Sequence, residues 1–248
     1  MILSLAIYLG LLLSLVGFLA IVKPIRWLRL STRRKGLGLL VAGVLIAAVG
    51  MILPTSESRI AQPITRLDDF VPVWQFREVH RIDVAAPPAR VWEAIHRVRA
   101  DDILFFRTLT WIRRGGRALP TGILNANQEP MIDVALEGGF VRLAEDPLRE
   151  LVIGTVVVAP PDTHGTLTPE VFRRNLRPGF ALAAMNFLVV PRGPALTSVT
   201  TETRVFANSP AARRRFAAYW RLIYPGSAII RRMWLRAIQH RAILPFVS

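Results

Sequence analysis

The sequence predicts an α+β protein in which an antiparallel sheet grips a long, kinked C-terminal helix, preceded by two transmembrane helices. Three observations predict it. Two uncharged apolar runs lie near the N-terminus, alternating apolar and polar stretches bounded by turn residues fill the middle, and a helical period with clear start signals closes the chain. The 248 residues are 52% hydrophobic and 20% charged, with a mean hydropathy of +0.38, which is too apolar for an ordinary soluble chain of this length.

Met1 to Val22 carries no charge, and at about 1.5 Å per residue it reaches across a hydrocarbon core of about 30 Å. A second uncharged run, Gly36 to Ser56, includes the 18-residue stretch Gly36 to Leu53, which Pro54 ends. Together they predict a helical hairpin over 1–53. Its connector, 23–35, holds Lys23, Arg26, Arg29, Arg33, Arg34 and Lys35 and no acid, whereas Arg59 and Arg66 beyond Pro54 are balanced by Glu57, Asp68 and Asp69. The positive-inside rule then makes the connector cytoplasmic. The expected location is the cell membrane, multi-pass, with the large C-terminal domain extracytoplasmic. An alternative stays open: Arg33-Arg34-Lys35 could serve as the start of a signal, with processing near Ala47 and Ala48. Gly43 and Gly50, seven apart, can share a face where two helices approach. With no ionisable group inside either span, the pair reads as an anchor rather than a transport path.

Residues 54–73 are rich in Pro, Ser, Thr and Asp without a period and read as a linker. The folded domain is expected over 74–248. Its first strand runs through Trp74, Phe76 and Val79 to Val84, where Ile82 and Val84 alternate with polar neighbours. Pro88 suits a first helical turn, so a helix follows from Pro88 to Val98. Asp101-Asp102 predicts a second helix start with Ile103 to Phe106 as its apolar body, Leu109 to Ile112 has strand composition up to Gly115-Gly116, and Glu129 to Leu136 reads as a short helix closed by Gly138-Gly139. Two hairpins come next: Phe140 to Ala144 with Glu150 to Val158, and Ala181 to Val190 with Leu196 to Phe206. Ser209 and Pro210 then start a helix carrying Phe216, Tyr219, Trp220 and Ile223, which Pro225-Gly226 must interrupt or kink before Met233, Trp234 and Ile238 continue it.

Charge and composition exclude several classes of function. The net charge of +15 is uneven: 54–170 carry 13 basic and 16 acidic residues, 171–248 carry 13 Arg and the single acid Glu202. Such a basic end could face an anionic membrane surface. Arg213-Arg214-Arg215 reads as a solvated helix face, and no nucleic-acid partner is expected. Without cysteine, a disulfide framework and a cysteine-held metal are excluded, and His80, His96, His164 and His240 are too scattered for a metal site. Neither a metal nor a cofactor is expected, since no phosphate loop, nucleophile elbow or coherent nucleophile set is present.

Ile82-Asp83-Val84-Ala85-Ala86-Pro87 followed by Val91-Trp92-Glu93-Ala94-Ile95 resembles the opening strand and helix of the START-related, polyketide-cyclase-like (SRPBCC) superfamily. Thr200-Thr201-Glu202-Thr203-Arg204-Val205, Phe216-Ala217-Ala218-Tyr219-Trp220 and Pro225-Gly226-Ser227 resemble the end of a bacterial branch of it. The resemblance covers about Trp74 to Arg241 and leaves the hairpin outside. It implies a helix-grip fold with a cavity between a curved sheet and the C-terminal helix. Family members include lipid and hormone binders, cyclase-like proteins and ring-oxygenase substrate domains; the Cys and paired His ligands of the last are missing here.

On the strand Leu196 to Phe206, Glu202 and Arg204 share a side with Ser198 and Thr200, and that side is a candidate cavity wall. There a carboxylate beside an Arg could orient a polar ligand group, act as a base if burial raised its pKa, form a structural pair, or face solvent if the register is reversed. Asn186 is in phase with Leu182, Ala184 and Leu188, as either an internal polar contact or a bulge residue. Tyr219 and Trp220, about 100° apart on a helix, offer one ring to a cavity or both to a core. Glu202, Arg204, Asn186, Tyr219 and Trp220 are therefore the candidate ligand contacts; no catalytic residue emerges. The leading expectation is a membrane-anchored module binding or presenting a hydrophobic small molecule or lipid. The alternatives are a cyclase or dehydratase-like enzyme using Glu202, and a scaffold for another envelope protein, whose identity the sequence does not give.

Overall fold

A computed structural model of the chain describes residues 2–53, 55–113, 116–117, 129–163, 165, 167–174 and 176–244; Met1, Pro54, Gly115 and His164, named above, lie outside the described residues. The chain forms two compact units, one of Met1–Thr55 with Ala217–Pro225 and one of Ser56–Phe216 with Gly226–Ser248.

In the smaller unit α1 (Ile2–Val22) and α2 (Arg33–Ile52) pack together, and both are long and apolar enough to cross a membrane. The Thr32 hydroxyl accepts from the Lys35 amide at 3.4 Å and so occupies a donor that the first turn of α2 leaves open. Gly10 and Gly17 of α1 meet Gly36 and Gly43 of α2 with backbones in contact. A Cβ on Gly17 would stand 2.4 Å from the Leu40 nitrogen, and one on Gly43 2.5 Å from that of Ser14. The seven-residue spacing keeps Gly36, Gly43 and Gly50 on the buried face of α2, the small-residue arrangement by which helices approach closely in lipid.

The unit's remaining segment belongs to the long C-terminal helix, Pro210–Ile243, whose Ser209 cap accepts from the Ala212 amide at 3.2 Å. Pro225 lies inside this helix and kinks it, having no N–H for the carbonyl four residues back. Within Ala217–Pro225, Arg221 donates to the Met51 carbonyl at 2.5 Å and to that of Leu53, while the Tyr8 hydroxyl donates to the Leu222 carbonyl.

The larger unit begins with β1 (Ser58–Arg59), α3 (Arg66–Phe70) and β2 (Val73–Trp74), β1 pairing with β2. The stretch 54–73, linker-like in composition, thus contributes packed structure here: Leu67 is fully buried, as is nearly all of Phe70. Next come β3 (Phe76–Val84), α4 (Pro88–Arg97), α5 (Phe106–Arg113) and α6 (Met131–Glu137). The strands β4 (Val141–Asp146), β5 (Glu150–Val158), β6 (Ala181–Gly193) and β7 (Leu196–Ala207) follow, and the C-terminal helix completes the order as α7. The main sheet is antiparallel, in the order β3-β7-β6-β5-β4.

Side-chain alternation divides the sheet into two faces. Phe187 on one face meets Trp234 of α7 edge-on, with ring centroids 5.1 Å apart, and the buried Val199, Met185, Leu151 and Ile153 join Leu235 and Ile238 in the same core. This is the inner face, wrapped around α7. On the outer face Val152, Leu182 and Ala184 pack with Leu67, Phe70 and Val71 in a second core.

Two local expectations are corrected. Leu109 to Ile112, read as a strand, lies inside helix α5, and of Ile103 to Phe106, read as a helix body, the first three residues form a bend and turn after a 3-10 turn at Ala100–Asp102 and only Phe106 is helical, as the start of α5. Phe105 has φ 64°, a backbone state that halts a helix before α5 begins. Four residues of mixed β-branched and aromatic composition do not separate strand from helix. Phe106 is buried while Trp111 and Ile112 point outward, a helical division of faces.

Candidate ligand site

The outer face collects charged groups that are far apart in sequence. Asn186 pairs with Glu202, Ala184 with Arg204 and Val152 with Asn186 in register, so Asn186, Glu202 and Arg204 point the same way. The Asn186 amide donates to Glu150 Oε1 at 2.7 Å, and its oxygen accepts from the Glu202 backbone at 3.0 Å. Glu150, 0% exposed, also accepts the first amides of α3, Arg66 at 2.8 Å and Leu67 at 3.2 Å. A carboxylate at a helix start satisfies donors that the helix itself leaves unpaired.

Asp68 completes the clasp from the side of α3. Its Oδ2 accepts the Ile64 and Thr65 amides at 2.8 and 2.7 Å, and its Oδ1 meets Arg204 Nη1 at 2.6 Å. Arg204 also donates to Glu202 at 2.6 Å and to the Val71 carbonyl at 3.2 Å, and its guanidinium lies 4.3 Å from the centre of the Trp74 ring. Glu202 takes a second guanidinium from Arg77 at 2.7 Å. Every strong group here is thus bonded to another, and the set fastens 64–71 onto the sheet.

Burial works against the charge of Glu202, but hydrogen bonds and attraction from Arg77 and Arg204 outweigh it and hold the carboxyl below its usual range. That direction is opposite to the one a general base requires. Burial likewise opposes ionisation of Asp68; the Ile64 and Thr65 amides and Arg204 prevail and lower its pKa. Both carboxyls therefore hold fewer protons when folded than when unfolded at acid pH. Their contribution to stability is complete above the unfolded range of about 3.9–4.3 and is lost as pH falls through the folded values. Thermal melts should give a constant midpoint down to about pH 5 and a decline below about pH 4, with a shallower decline in Glu202→Gln; an unaltered slope in that variant would contradict the assignment.

Beyond Arg204 on the same face, Leu182 pairs with Phe206, and both line a cavity of about 200 Å³. Its other walls are Phe70 to Val73 from the 64–74 segment and Phe172, Leu176 and Phe180 from the β5–β6 connection, with Arg174 and Asn208 as polar members. Asn208 is engaged: its oxygen accepts the Gly179 and Phe180 amides at 3.0 and 2.9 Å, and its nitrogen donates to the Leu176 and Arg177 carbonyls. Among the described residues Arg174 is thus the one charged residue of a lining that is apolar but for it and Asn208. The space exceeds the roughly 150 Å³ that accommodates benzene in an apolar protein interior, which suits one ring or the end of an acyl chain.

The inner face has its own polar group. Glu78 accepts from Ser227 at 2.8 Å and lies 2.8 Å from His80 Nε2. Next to His80 in register is Thr201, whose buried hydroxyl, like the Trp234 indole nitrogen, has no partner among the described residues. Neither Glu78 nor His80 stood out in the sequence, although both share the β3 phase of Phe76, Ile82 and Val84. Of the five expected ligand contacts, Asn186, Glu202 and Arg204 come together, on the face away from α7. Tyr219 and Trp220 belong to the smaller unit, where Trp220 lies 5.7 Å from the Tyr224 ring. Among the described residues no group of three or more His, Cys, Asp or Glu side chains could share a metal ion.

No family model matches the chain, and no curated protein matches it. A solution NMR structure of a protein from Thermobifida fusca, a structural-genomics target, aligns with 67% of this chain and 92% of its own at 17% identity and a TM-score of 0.32.

Proposed function

We propose that the protein is a membrane-anchored module that binds or presents a hydrophobic small molecule or lipid, and that it is a START-like member of the SRPBCC superfamily. The observation that carries the binding reading is the mostly apolar cavity on the outer sheet face, with Arg174 in its lining, which lies on the opposite side of the sheet from the space beside the C-terminal helix that the resemblance implies. A guest with a ring or short acyl end and an anionic group matches that lining. In this reading 1–53 anchors the chain in the cell membrane, the 74–248 domain lies outside the cytoplasm, and 54–73 supplies both tether and cavity wall. Asn186, Glu202 and Arg204 act as positioning residues, since Arg204 holds the carbonyl of Val71, itself a lining residue.

The test is fluorine NMR of 4-fluorobenzoate and 4-fluorotoluene with the purified full chain, alongside mass spectrometry of solvent extracts after mild purification. Line broadening is expected for both probes, and more for the benzoate. Leu176→Trp, which fills the cavity from its rim, should abolish broadening while the melting midpoint stays within a few degrees; Arg174→Gln should erase the preference for benzoate. Undiminished broadening in Leu176→Trp, or none in the parent chain, would rule the cavity out.

A further inference from the structure

The Ala217–Pro225 stretch of α7 contains Tyr219, Trp220, Leu222, Ile223 and Tyr224, and its one charged residue is Arg221. That residue is 3% exposed, with its guanidinium turned onto the Met51 and Leu53 carbonyls. The last carbonyls of a helix have no partner within it, and in hydrocarbon each such group costs several kcal/mol. Arg221 thus closes the end of α2. α2 opens with Arg33, Arg34 and Lys35 of the charged connector, and its uncharged part from Gly36 to Ile52, about 26 Å long, comes close to the thickness of a hydrocarbon core, so its end stands at the boundary between acyl chains and headgroups, and Arg221 with it.

Leu222 reaches further in. Its carbonyl accepts from Tyr8, which is six residues inside α1, about 9 Å from the helix start. Leu222 is nevertheless 51% exposed. An exposed leucine beside a spanning helix meets acyl chains, and Tyr and Trp rings favour the headgroup boundary because one end of each is apolar and the other polar. Resting on the reading of α1 and α2 as membrane spans, we propose that Ala217–Pro225 is inserted in the bilayer interface beside them, with Leu222 among the acyl chains and Tyr219, Trp220 and Tyr224 at headgroup level.

The chain has no cysteine, so single nitroxide labels can be placed at will. Leu222→Cys, Leu12→Cys in mid-span and Ile64→Cys in the larger unit, all exposed positions, are labelled in the full chain. The proteins are reconstituted in vesicles of phosphatidylethanolamine and phosphatidylglycerol, and collisions with oxygen and with a neutral nickel chelate are measured. The expected oxygen-to-nickel ratio at Leu222 is several-fold above that at Ile64 and approaches that at Leu12. With Leu12 in lipid, a nickel-accessible Leu222, or one shielded from both reagents, overturns the inference alone. A nickel-accessible Leu12 overturns the anchor reading and takes this inference with it.

Discussion

Arg204→Met lowers the stability of the larger unit by about 3–5 kcal/mol, the cost of removing one partner from a buried ion pair. The residue is 5% exposed and holds Asp68, Glu202 and the Val71 carbonyl together, so its loss leaves carboxylates facing one another in an interior that does not solvate them. For a unit of this size the melting midpoint should fall by roughly 10 °C or more. Arg77→Met removes the other guanidinium on Glu202, but Arg77 has half its side chain in water, and the expected loss is about 1 kcal/mol or less. Parallel urea titrations of the two variants check the contrast; equal, small losses would show that the clasp does not hold the 64–71 segment.

How much of this was legible depended on the physical signal each part leaves in the chain. The start of α7 was plain, because Ser209 and Pro210 each have a specific use at a helix start. The two long hairpins were plain for a similar reason, their alternation being bounded by turn residues. Which face of β7 meets α7 was not. Thr197, Thr201 and Thr203 line one side and Ser198, Thr200 and Glu202 the other, so both read as mixed polar and apolar. Only the partners across space, Phe187 and Trp234 inside and Leu67 and Val71 outside, decide between them.

The 54–73 stretch was obscured differently. Its helix has five residues, too few for a period to emerge, and what fixes it is distant in sequence: the Glu150 carboxylate receiving the Arg66 and Leu67 amides. The local signal was Thr65 followed three residues later by Asp68, a start pattern of the capping kind. Composition alone hid it, since Pro, Ser, Thr and Asp serve both linkers and helix starts.

Gly43→Ile should separate the two apolar helices, whereas Gly38→Ile should leave them in place. Both substitutions add the same side chain to the same helix. At Gly43 the new Cβ falls 2.5 Å from the Ser14 nitrogen and 2.6 Å from the Gly10 oxygen; at Gly38 it meets nothing within 4 Å. Backbone atoms cannot turn away as a flexible side chain can, so relief requires the helices to part along the seam, forfeiting the dispersion contacts that hold them in lipid, where no hydrophobic drive between helices exists. The cost should exceed the 1–3 kcal/mol typical of overpacking, because the clash is with main chain. Nitroxides at Leu5→Cys and Ile52→Cys, both outward-facing positions, report the separation by pulsed electron resonance. A distance distribution shifted to longer values and broadened is expected for Gly43→Ile, and an unchanged one for Gly38→Ile. Superimposable distributions from all three proteins would mean that the glycine seam does not set the helix approach.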